Sequence, residues 1–132
     1  MGRRVILDTN VLIDYERGTL DRGLLDDDEL AIAAITVAEY RTGIELADTP
    51  ERAAARSQAL AAIIGTVEVL EYTETTAIQH ARLIAHVRRS GKPRGAHDLI
   101  IAAHAAQTGR IVLTKDADAC FGDLPGVTAE HP

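Results

Sequence analysis

The amino-acid sequence predicts an α/β fold with a largely parallel central sheet flanked by helices. Short apolar stretches of β type alternate with longer stretches of helical periodicity along most of the chain. The length of 132 residues fits one globular domain, so we expect a single domain over residues 1–132. Hydrophobic residues make up 46% and charged residues 26%, which excludes disordered, collagen-like and low-complexity proteins.

Strands are predicted where short aliphatic or β-branched stretches are bounded by polar residues or glycine. The four clear cases are Arg4 to Leu7, Leu30 to Ile35, Val67 to Tyr72 and Arg110 to Thr114. A weaker fifth strand is expected near Val127. Interleaved with helices, such strands are typical of a parallel sheet covered on both faces.

Helices are predicted from the signals at their ends. Thr49 and Pro50 form an N-cap followed by proline at the first helical position, and Thr73 is a second N-cap. Glycines that follow the apolar periodicity mark the helix ends. The predicted helices run from Pro50 to Ile64, from Thr73 to Ser90, and from Ala96 or Asp98 to Thr108.

Four acidic residues follow strands or begin helices in this pattern. Asp8 and Asp116 come just after strands, Glu39 lies four residues after the second strand, and Asp98 begins the last helix. In a parallel α/β sheet these positions meet at the carboxyl edge, where ligand sites form. Neighbouring carboxylates repel one another unless a divalent cation neutralises them, and hard oxygen ligands favour Mg2+ or Mn2+. Such an ion activates water and stabilises charge during attack on a phosphodiester.

The same residues also fit a purely structural interpretation. Thr36 and Glu39 have the spacing of a capping box, and each aspartate is suited to a helix start. The two roles do not exclude each other. Because all four acids are expected at one sheet edge, a shared metal site remains open beside the capping roles.

Four segments of the chain resemble the motifs of the PIN-domain ribonucleases, and most closely those of the VapC toxins of prokaryotic toxin–antitoxin pairs. The resemblance extends from Arg4 to about Val127. Any one motif is weak, but four in order are specific. The matching segments are Val5 to Ile13, Ile35 to Glu39 with Arg41 and Gly43, His97 to Ala105, and Leu113 to Asp116.

The resemblance implies a PIN-domain-like three-layer sandwich and an endoribonuclease that depends on Mg2+ or Mn2+. It would hydrolyse RNA phosphodiester bonds with a metal-activated water. By this resemblance Asp8 and Asp98 are direct metal ligands, and Glu39 and Asp116 complete the acidic site. Asn10 and Thr114 would support the carboxylates, while Asp118 offers a second carboxylate near Asp116; Asp116 is preferred.

Family membership also implies partners. We expect a cognate VapB-like antitoxin, a homodimer, and an RNA substrate that is transfer, ribosomal or messenger RNA. The alternative is a catalytically weak or inactive PIN-fold interaction module that binds a partner protein. Cleavage of RNA that requires metal and is lost on Asp98→Asn would exclude this alternative.

The net charge of −6 argues against binding of nucleic acid by overall charge alone. The charge is uneven, however, because residues 75–97 contain no acidic residue. We predict RNA contacts in this stretch and weigh them against simple stabilisation of a helix end. The predicted RNA-binding residues are Arg88, Arg89, Lys92 and Arg94.

Cysteine content and hydropathy bear on the compartment. Cys120 is the single cysteine, which excludes an internal disulfide and is typical of a reducing compartment. No apolar run approaches the roughly 18 residues of a membrane span, and the first residues lack the features of a signal peptide. We therefore expect a cytoplasmic protein with no membrane association.

Overall fold

The computed structural model describes residues 2–132 and contains one five-stranded sheet. The strands are β1 (Arg4–Leu7), β2 (Glu29–Ala33), β3 (Glu68–Leu70), β4 (Ile111–Leu113) and β5 (Thr128–Glu130). They lie in the order β3-β2-β1-β4-β5, and every neighbouring pair is parallel. The predicted α/β fold with a largely parallel sheet is confirmed.

Five α-helices connect the strands. They are α1 (Thr9–Arg17), α2 (Ala34–Glu45), α3 (Pro50–Ile64), α4 (Glu74–Ser90) and α5 (Ala96–Thr108), with short 3-10 helices at Arg22–Leu25, Ala117–Ala119 and Phe121–Asp123. The predicted N-caps are confirmed, since the Thr49 side chain accepts a hydrogen bond from Arg52 N and Thr73 forms a capping box with Thr76. Gly91 and Gly109 end α4 and α5 with φ of 69° and 67°, a left-handed conformation that favours glycine.

The start of α2 corrects two sequence predictions. The strand expected to reach Ile35 ends at Ala33, because α2 begins at Ala34. The N-cap is Ala33, which has no side chain able to cap, and Thr36 lies buried inside the first turn. The capping box predicted for Thr36 and Glu39 is therefore wrong.

The edge and fourth strands are also shorter than predicted. β3 pairs only with β2, and the last residue pair in this ladder joins Ala33 to Leu70. Once β2 turns into a helix, the chain from Glu71 to Tyr72 has no strand to pair with. β4 likewise ends at Leu113, and the weak fifth strand starts one residue after Val127.

Side chains alternate across the sheet to form two cores. Val5 and Leu7 of β1 face one side, where they pack with α1 and α3, while Ile6 faces the other side with α4 and α5. The core on the α4–α5 side contains one fully buried phenylalanine, Phe121. Two helical layers around one sheet give the expected three-layer sandwich.

The topology reverses next to β1. From β1 the chain proceeds outward to β2 and β3, and it then returns to place β4 on the opposite side of β1. Connections leaving β1 and β4 therefore diverge and open a crevice at the carboxyl edge, which is where parallel α/β sheets bind ligands.

Ion pairs connect neighbouring strands at the opposite edge of the sheet, where the strands begin. The Arg110 guanidinium is 2% exposed and contacts both Glu29 and Glu68. Arg3 donates to Asp28 and thereby holds the pKa of this carboxyl below its usual value. Within residues 2–132, no helix combines the length and apolar character needed to cross a membrane.

Candidate active site

Asp8 lies at the centre of the crevice, directly after β1. It is 6% exposed, and its backbone N–H donates to Leu113 O of β4 at 2.9 Å. One carboxylate oxygen, Oδ1, accepts a hydrogen bond from Thr9 N at 2.8 Å and so caps α1. The other, Oδ2, accepts from Thr114 Oγ1 at 2.8 Å and from Asn10 Nδ2 at 3.4 Å. Asp8 is thus a helix cap and also a fixed carboxylate in the crevice.

Asn10 and Thr114 join the two strands around Asp8. Thr114 Oγ1 donates to Asp8 and accepts from Asp116 N at 3.0 Å, while Asn10 Oδ1 accepts from Lys115 N at 3.2 Å. The segment after β4 is in this way attached to the first turn of α1. Both side chains donate to Asp8 Oδ2, and their supporting role in the site stays a prediction.

Asp98 occupies the first turn of α5, on the other wall of the crevice. Partial burial raises the pKa of its carboxyl, and the negative charges of Asp8, Asp116 and Glu39 raise it further, while His97 opposes them. The other three predicted acids therefore each act electrostatically on Asp98.

The N-cap of α5 leaves space for this carboxylate. A Cβ atom on Gly95 would lie 3.0 Å from Asp98 Oδ2, which is tighter than an ordinary van der Waals contact. Gly95 has φ of −62°, so its backbone conformation does not itself require glycine. The close approach of Asp98 is what favours glycine at this position.

The choice between Asp116 and Asp118 is visible in their contacts. Asp116 Oδ1 accepts from Asp118 N at 3.0 Å and caps the short helix Ala117–Ala119. Asp116 is among the charges that raise the pKa of Asp98, whereas Asp118 is not. Asp116 therefore stays the preferred fourth acid, as a prediction.

Glu39 reaches the crevice from α2 and meets a residue that the sequence did not pair with it. Its Oε1 lies 3.3 Å from His97 Nδ1, an ion pair when the imidazole is protonated. Among residues 2–132, this buried Oε1 has no partner in hydrogen-bond geometry. The sequence carries no signal for this contact, because packing of α2 against α5 is not readable from either segment alone.

The donor set fits a hard divalent cation, although the carboxylates do not form a finished cage. Within the part of the chain that the structure describes, no three His, Cys, Asp or Glu side chains are already spaced to hold a metal ion. The four predicted acids nevertheless lie around the crevice, the buried Oε1 of Glu39 accepts no hydrogen bond although His97 lies near it, and burial together with the other acids raises the pKa of Asp98. A bound cation of the Mg2+ or Mn2+ type would relieve all of these features.

A cavity of about 410 Å³ adjoins the acidic crevice beside Glu39. Thr9 and Ile13 of α1 and Tyr40 of α2 line it, and Arg56 of α3 closes its far side. Thr9 Oγ1 is buried there without a hydrogen-bond partner among residues 2–132. The sequence carried no local signal for this cavity, because three helices distant in the chain form its walls.

The predicted RNA-binding residues fall into two environments. Arg88, Arg89 and Lys92 are exposed at and just beyond the end of α4. The Arg94 side chain is only 11% exposed, and its Nη1 donates to Ala119 O and Cys120 O, both at 2.7 Å. Contact with RNA stays a prediction for the three exposed residues, whereas Arg94 is already bound within the protein.

Comparison with known proteins places these features in a family. The PIN domain model matches residues 5–126. The chain is 36% identical to the ribonuclease VapC5 of Mycobacterium tuberculosis over 94% of this chain and 90% of that protein. It is 31% identical to the tRNA(fMet)-specific endonuclease VapC of Salmonella typhimurium over 96% of both chains.

Solved structures agree with these sequence matches. The DNA-bound VapBC structure from Salmonella typhimurium superimposes with a TM-score of 0.83 at 30% identity, covering 99% of this chain and 98% of that chain. The VapBC-5 structure from Mycobacterium tuberculosis gives a TM-score of 0.81 at 32% identity, covering 98% of each chain. The chain therefore belongs to the PIN-domain family and, within it, to the VapC group.

Proposed function

We propose that this protein is the ribonuclease toxin of a VapBC-type toxin–antitoxin pair and that residues 1–132 form one nuclease domain. In this proposal it is a metal-dependent endoribonuclease that hydrolyses phosphodiester bonds in RNA. The observation that supports the proposal is the PIN-domain match together with Asp8, a carboxylate that is 6% exposed directly after β1 and accepts hydrogen bonds from Thr9 N and Thr114 Oγ1. Glu39, Asp98 and Asp116 would complete an acidic site around Asp8 at the switch point of the parallel sheet.

Each acid has a distinct role in the proposed reaction. Asp8 and Asp98 would hold the cation from opposite walls of the crevice. The hydrogen bonds of Asp8 to Thr9 N and Thr114 Oγ1 keep its carboxylate from rotating. Glu39 and Asp116 would complete the site through water or by orienting the nucleophile. When bound, Mg2+ or Mn2+ would lower the pKa of a water and stabilise negative charge developing on the phosphate.

Substrate binding would combine the cation with the exposed basic residues of α4. Positive charge suited to RNA phosphates is carried by Arg88, Arg89 and Lys92. Contacts to phosphates position an RNA strand but do not read its sequence. Because the protein has a net charge of −6, we expect RNA binding to weaken when divalent metal is removed.

Partners are proposed from the relatives. The structures that this chain resembles are described as VapBC complexes, so we propose a cognate VapB-like antitoxin as the inhibitor. We also propose a homodimer. One relative is named a tRNA(fMet)-specific endonuclease, and we propose that the present substrate is RNA of the transfer, ribosomal or messenger class.

The proposal is tested by incubating purified protein with total cellular RNA in Mn2+, in Mg2+ and in EDTA, followed by mapping of the new 5′ ends. We expect discrete cleavages that require metal and disappear in the Asp98→Asn variant. Mapping of the ends also identifies the RNA class. If folded wild-type protein leaves all RNA intact in both metals, the nuclease proposal fails and the inactive interaction module is supported.

A further inference from the structure

The segment from Asp116 to Leu124 carries one acid of the crevice but contains little regular structure. It consists of two 3-10 helices of three residues each, joined at Cys120. Cys120 has a φ of 50°, a conformation that residues other than glycine adopt only when their surroundings hold them. The position of Asp116 therefore depends on contacts that fix this segment from outside.

On the side of α1 the segment is fixed at its first residues. Thr114 Oγ1 accepts from Asp116 N, and Lys115 contacts Asn10 through its backbone and Asp14 through its ammonium group. The Lys115 ammonium lowers the pKa of the Asp14 carboxyl, which shows that the two charges interact. The contacts on this side end at Asp116. The residues after Asp116 are contacted from the α5 side of the crevice.

On the side of α5 the segment is held by burial of Phe121 and Leu124 in the core and by hydrogen bonds from Arg94. Its Nη1 group donates one hydrogen bond to Ala119 O and one to Cys120 O, each at 2.7 Å, and its Nη2 lies 3.8 Å from Asp123 Oδ2. Within residues 2–132, no other side chain from outside the segment hydrogen-bonds to residues 117–124. Charge-assisted bonds from a largely buried guanidinium are the strong class of protein hydrogen bond.

Arg94 also lies next to the second acid-bearing element. It directly precedes Gly95, the N-cap of α5, and Asp98 stands in the first turn of this helix. One side chain thus connects the start of the helix that carries Asp98 to the loop that carries Asp116. The Asp116 side chain in turn caps Ala117–Ala119, the short helix whose last carbonyl Arg94 binds.

We propose that Arg94 is a positioning residue of the active site, which sets the distance between Asp98 and Asp116 for the divalent cation. This proposal rests on the nuclease function proposed above. The guanidinium acts through the backbone of Ala119 and Cys120 rather than by touching RNA. Its near-complete burial explains why it differs from Arg88, Arg89 and Lys92, although all four belong to the same basic stretch.

The first experiment measures Mn2+ affinity without RNA by titration calorimetry on wild type, Arg94→Met and Arg94→Lys. We expect Arg94→Met to bind Mn2+ about tenfold more weakly, as for other residues that orient metal ligands. Arg94→Lys keeps the charge and the donors and should restore most of the affinity. The control is Arg52→Met, which removes an exposed arginine of α3 that pairs with Asp48, and it should bind Mn2+ like wild type.

The second experiment separates positioning from direct RNA contact. Positioning predicts that Arg94→Met lowers kcat with little change in KM, whereas a phosphate contact predicts a higher KM with unchanged Mn2+ affinity. In metal-free protein, amide hydrogen exchange at Asp118 and Cys120 should accelerate in Arg94→Met, because their N–H groups bond within the short helix.

The outcomes are distinguishable. Unchanged Mn2+ affinity in Arg94→Met, or a change in KM alone, would overturn the positioning role even if wild type cuts RNA. Wild-type protein that binds Mn2+ but leaves RNA intact would defeat the proposed function, and the Mn2+ titrations would still decide the role of Arg94. If Arg94→Met does not fold, Arg94→Gln, which keeps an N–H donor but lacks the charge, carries the same test: weaker Mn2+ binding supports the positioning role, and affinity equal to wild type would overturn it.

Discussion

The hydroxyl of Thr114 donates a hydrogen bond to Asp8 Oδ2 at 2.8 Å and so couples the carboxyl ends of β4 and β1. The two residues are 106 positions apart in the chain, yet they lie on adjacent strands of the sheet. The same hydroxyl accepts a bond from Asp116 N. One small polar side chain therefore orders two of the four acids in the crevice.

Replacement of this hydroxyl should impair the site without changing its shape. Thr114→Val removes the donor to Asp8 and should reduce kcat/KM about tenfold, because Asp8 keeps only its bonds to Thr9 N and Asn10. Unfolding free energy should fall by about 1–2 kcal/mol. Thr114→Ser retains the hydroxyl and is the matched control. Equal activity of the valine and serine variants would contradict this role.

Asp98→Asn should stabilise the metal-free protein at neutral pH. In the folded protein the pKa of Asp98 is raised above its ordinary value of 3.8, so the charged form costs folding free energy that asparagine avoids. The gain should be complete above the raised pKa, shrink as the pH falls through it, and vanish below the ordinary value. Thermal unfolding in EDTA between pH 3 and pH 8 measures this profile, with Asp118→Asn as control.

Added metal should reverse the order of these two proteins. Mn2+ bound at the proposed site would stabilise the folded wild type by an amount that grows with the logarithm of the free Mn2+ concentration above Kd, whereas Asp98→Asn lacks one proposed ligand and should gain less. A melting temperature of Asp98→Asn below that of wild type in EDTA at pH 7 would instead indicate that this carboxylate acts mainly as a helix-start residue.

Asp116 and Asp118 should differ in importance. Asp116→Asn keeps an oxygen that accepts from Asp118 N, so folding should be preserved while activity falls about 10–100-fold. Asp118 is exposed, and Asp118→Asn should stay within about twofold of wild type, as is usual for surface substitutions. The two variants are compared by their rates of RNA cleavage under saturating Mn2+. A greater loss of activity in Asp118→Asn would indicate that Asp118, not Asp116, is the fourth acid of the site.

Gly95→Ala should affect catalysis more than stability. The added Cβ would lie 3.0 Å from Asp98 Oδ2 and displace the carboxylate, while the backbone φ of −62° accepts alanine without strain. We expect weaker Mn2+ binding together with a melting temperature close to that of wild type. Gly43→Ala is the control, because a Cβ there meets nothing within 4 Å. Equal Mn2+ affinity in Gly95→Ala and Gly43→Ala would contradict the expectation that a Cβ at position 95 displaces the Asp98 carboxylate.

The exposed cations of α4 should govern the salt dependence of RNA binding. The logarithm of RNA affinity falls linearly with the logarithm of salt concentration. Each phosphate contact to single-stranded RNA contributes about −0.7 to the slope of this line. Arg88→Ala, Arg89→Ala and Lys92→Ala should each make the fall of kcat/KM with KCl less steep, while Arg52→Ala should not. If kcat/KM of all three variants shows the same salt dependence as wild type, the predicted RNA contacts of this stretch are wrong.

Sequence patterns predicted the alternation of strands and helices, the helices α3 to α5, and a position at one sheet edge for Asp8, Glu39, Asp98 and Asp116, while the bounds of α1 and α2 became defined only in the folded protein. Hydrophobic periodicity and helix-end signals are local, and a parallel sheet sends all its carboxyl ends to the same side. The four PIN-type motifs were recognisable for the same reason, because each is a short local segment of the sequence. Local pattern failed at Thr36, because its capping-box spacing does not reveal that the helix already begins at Ala34.

Only the tertiary structure decided which side chains meet across elements. Glu39 faces His97 because α2 and α5 pack at the same crevice, and Arg94 turns inward because the segment after β4 passes over the start of α5. Neither contact has a signal in its own stretch of sequence. Such pairings depend on how helices pack on the sheet, which involves residues far apart in the chain. The distinction between the exposed Arg88 and Arg89 and the largely buried Arg94 therefore appeared only in the folded protein.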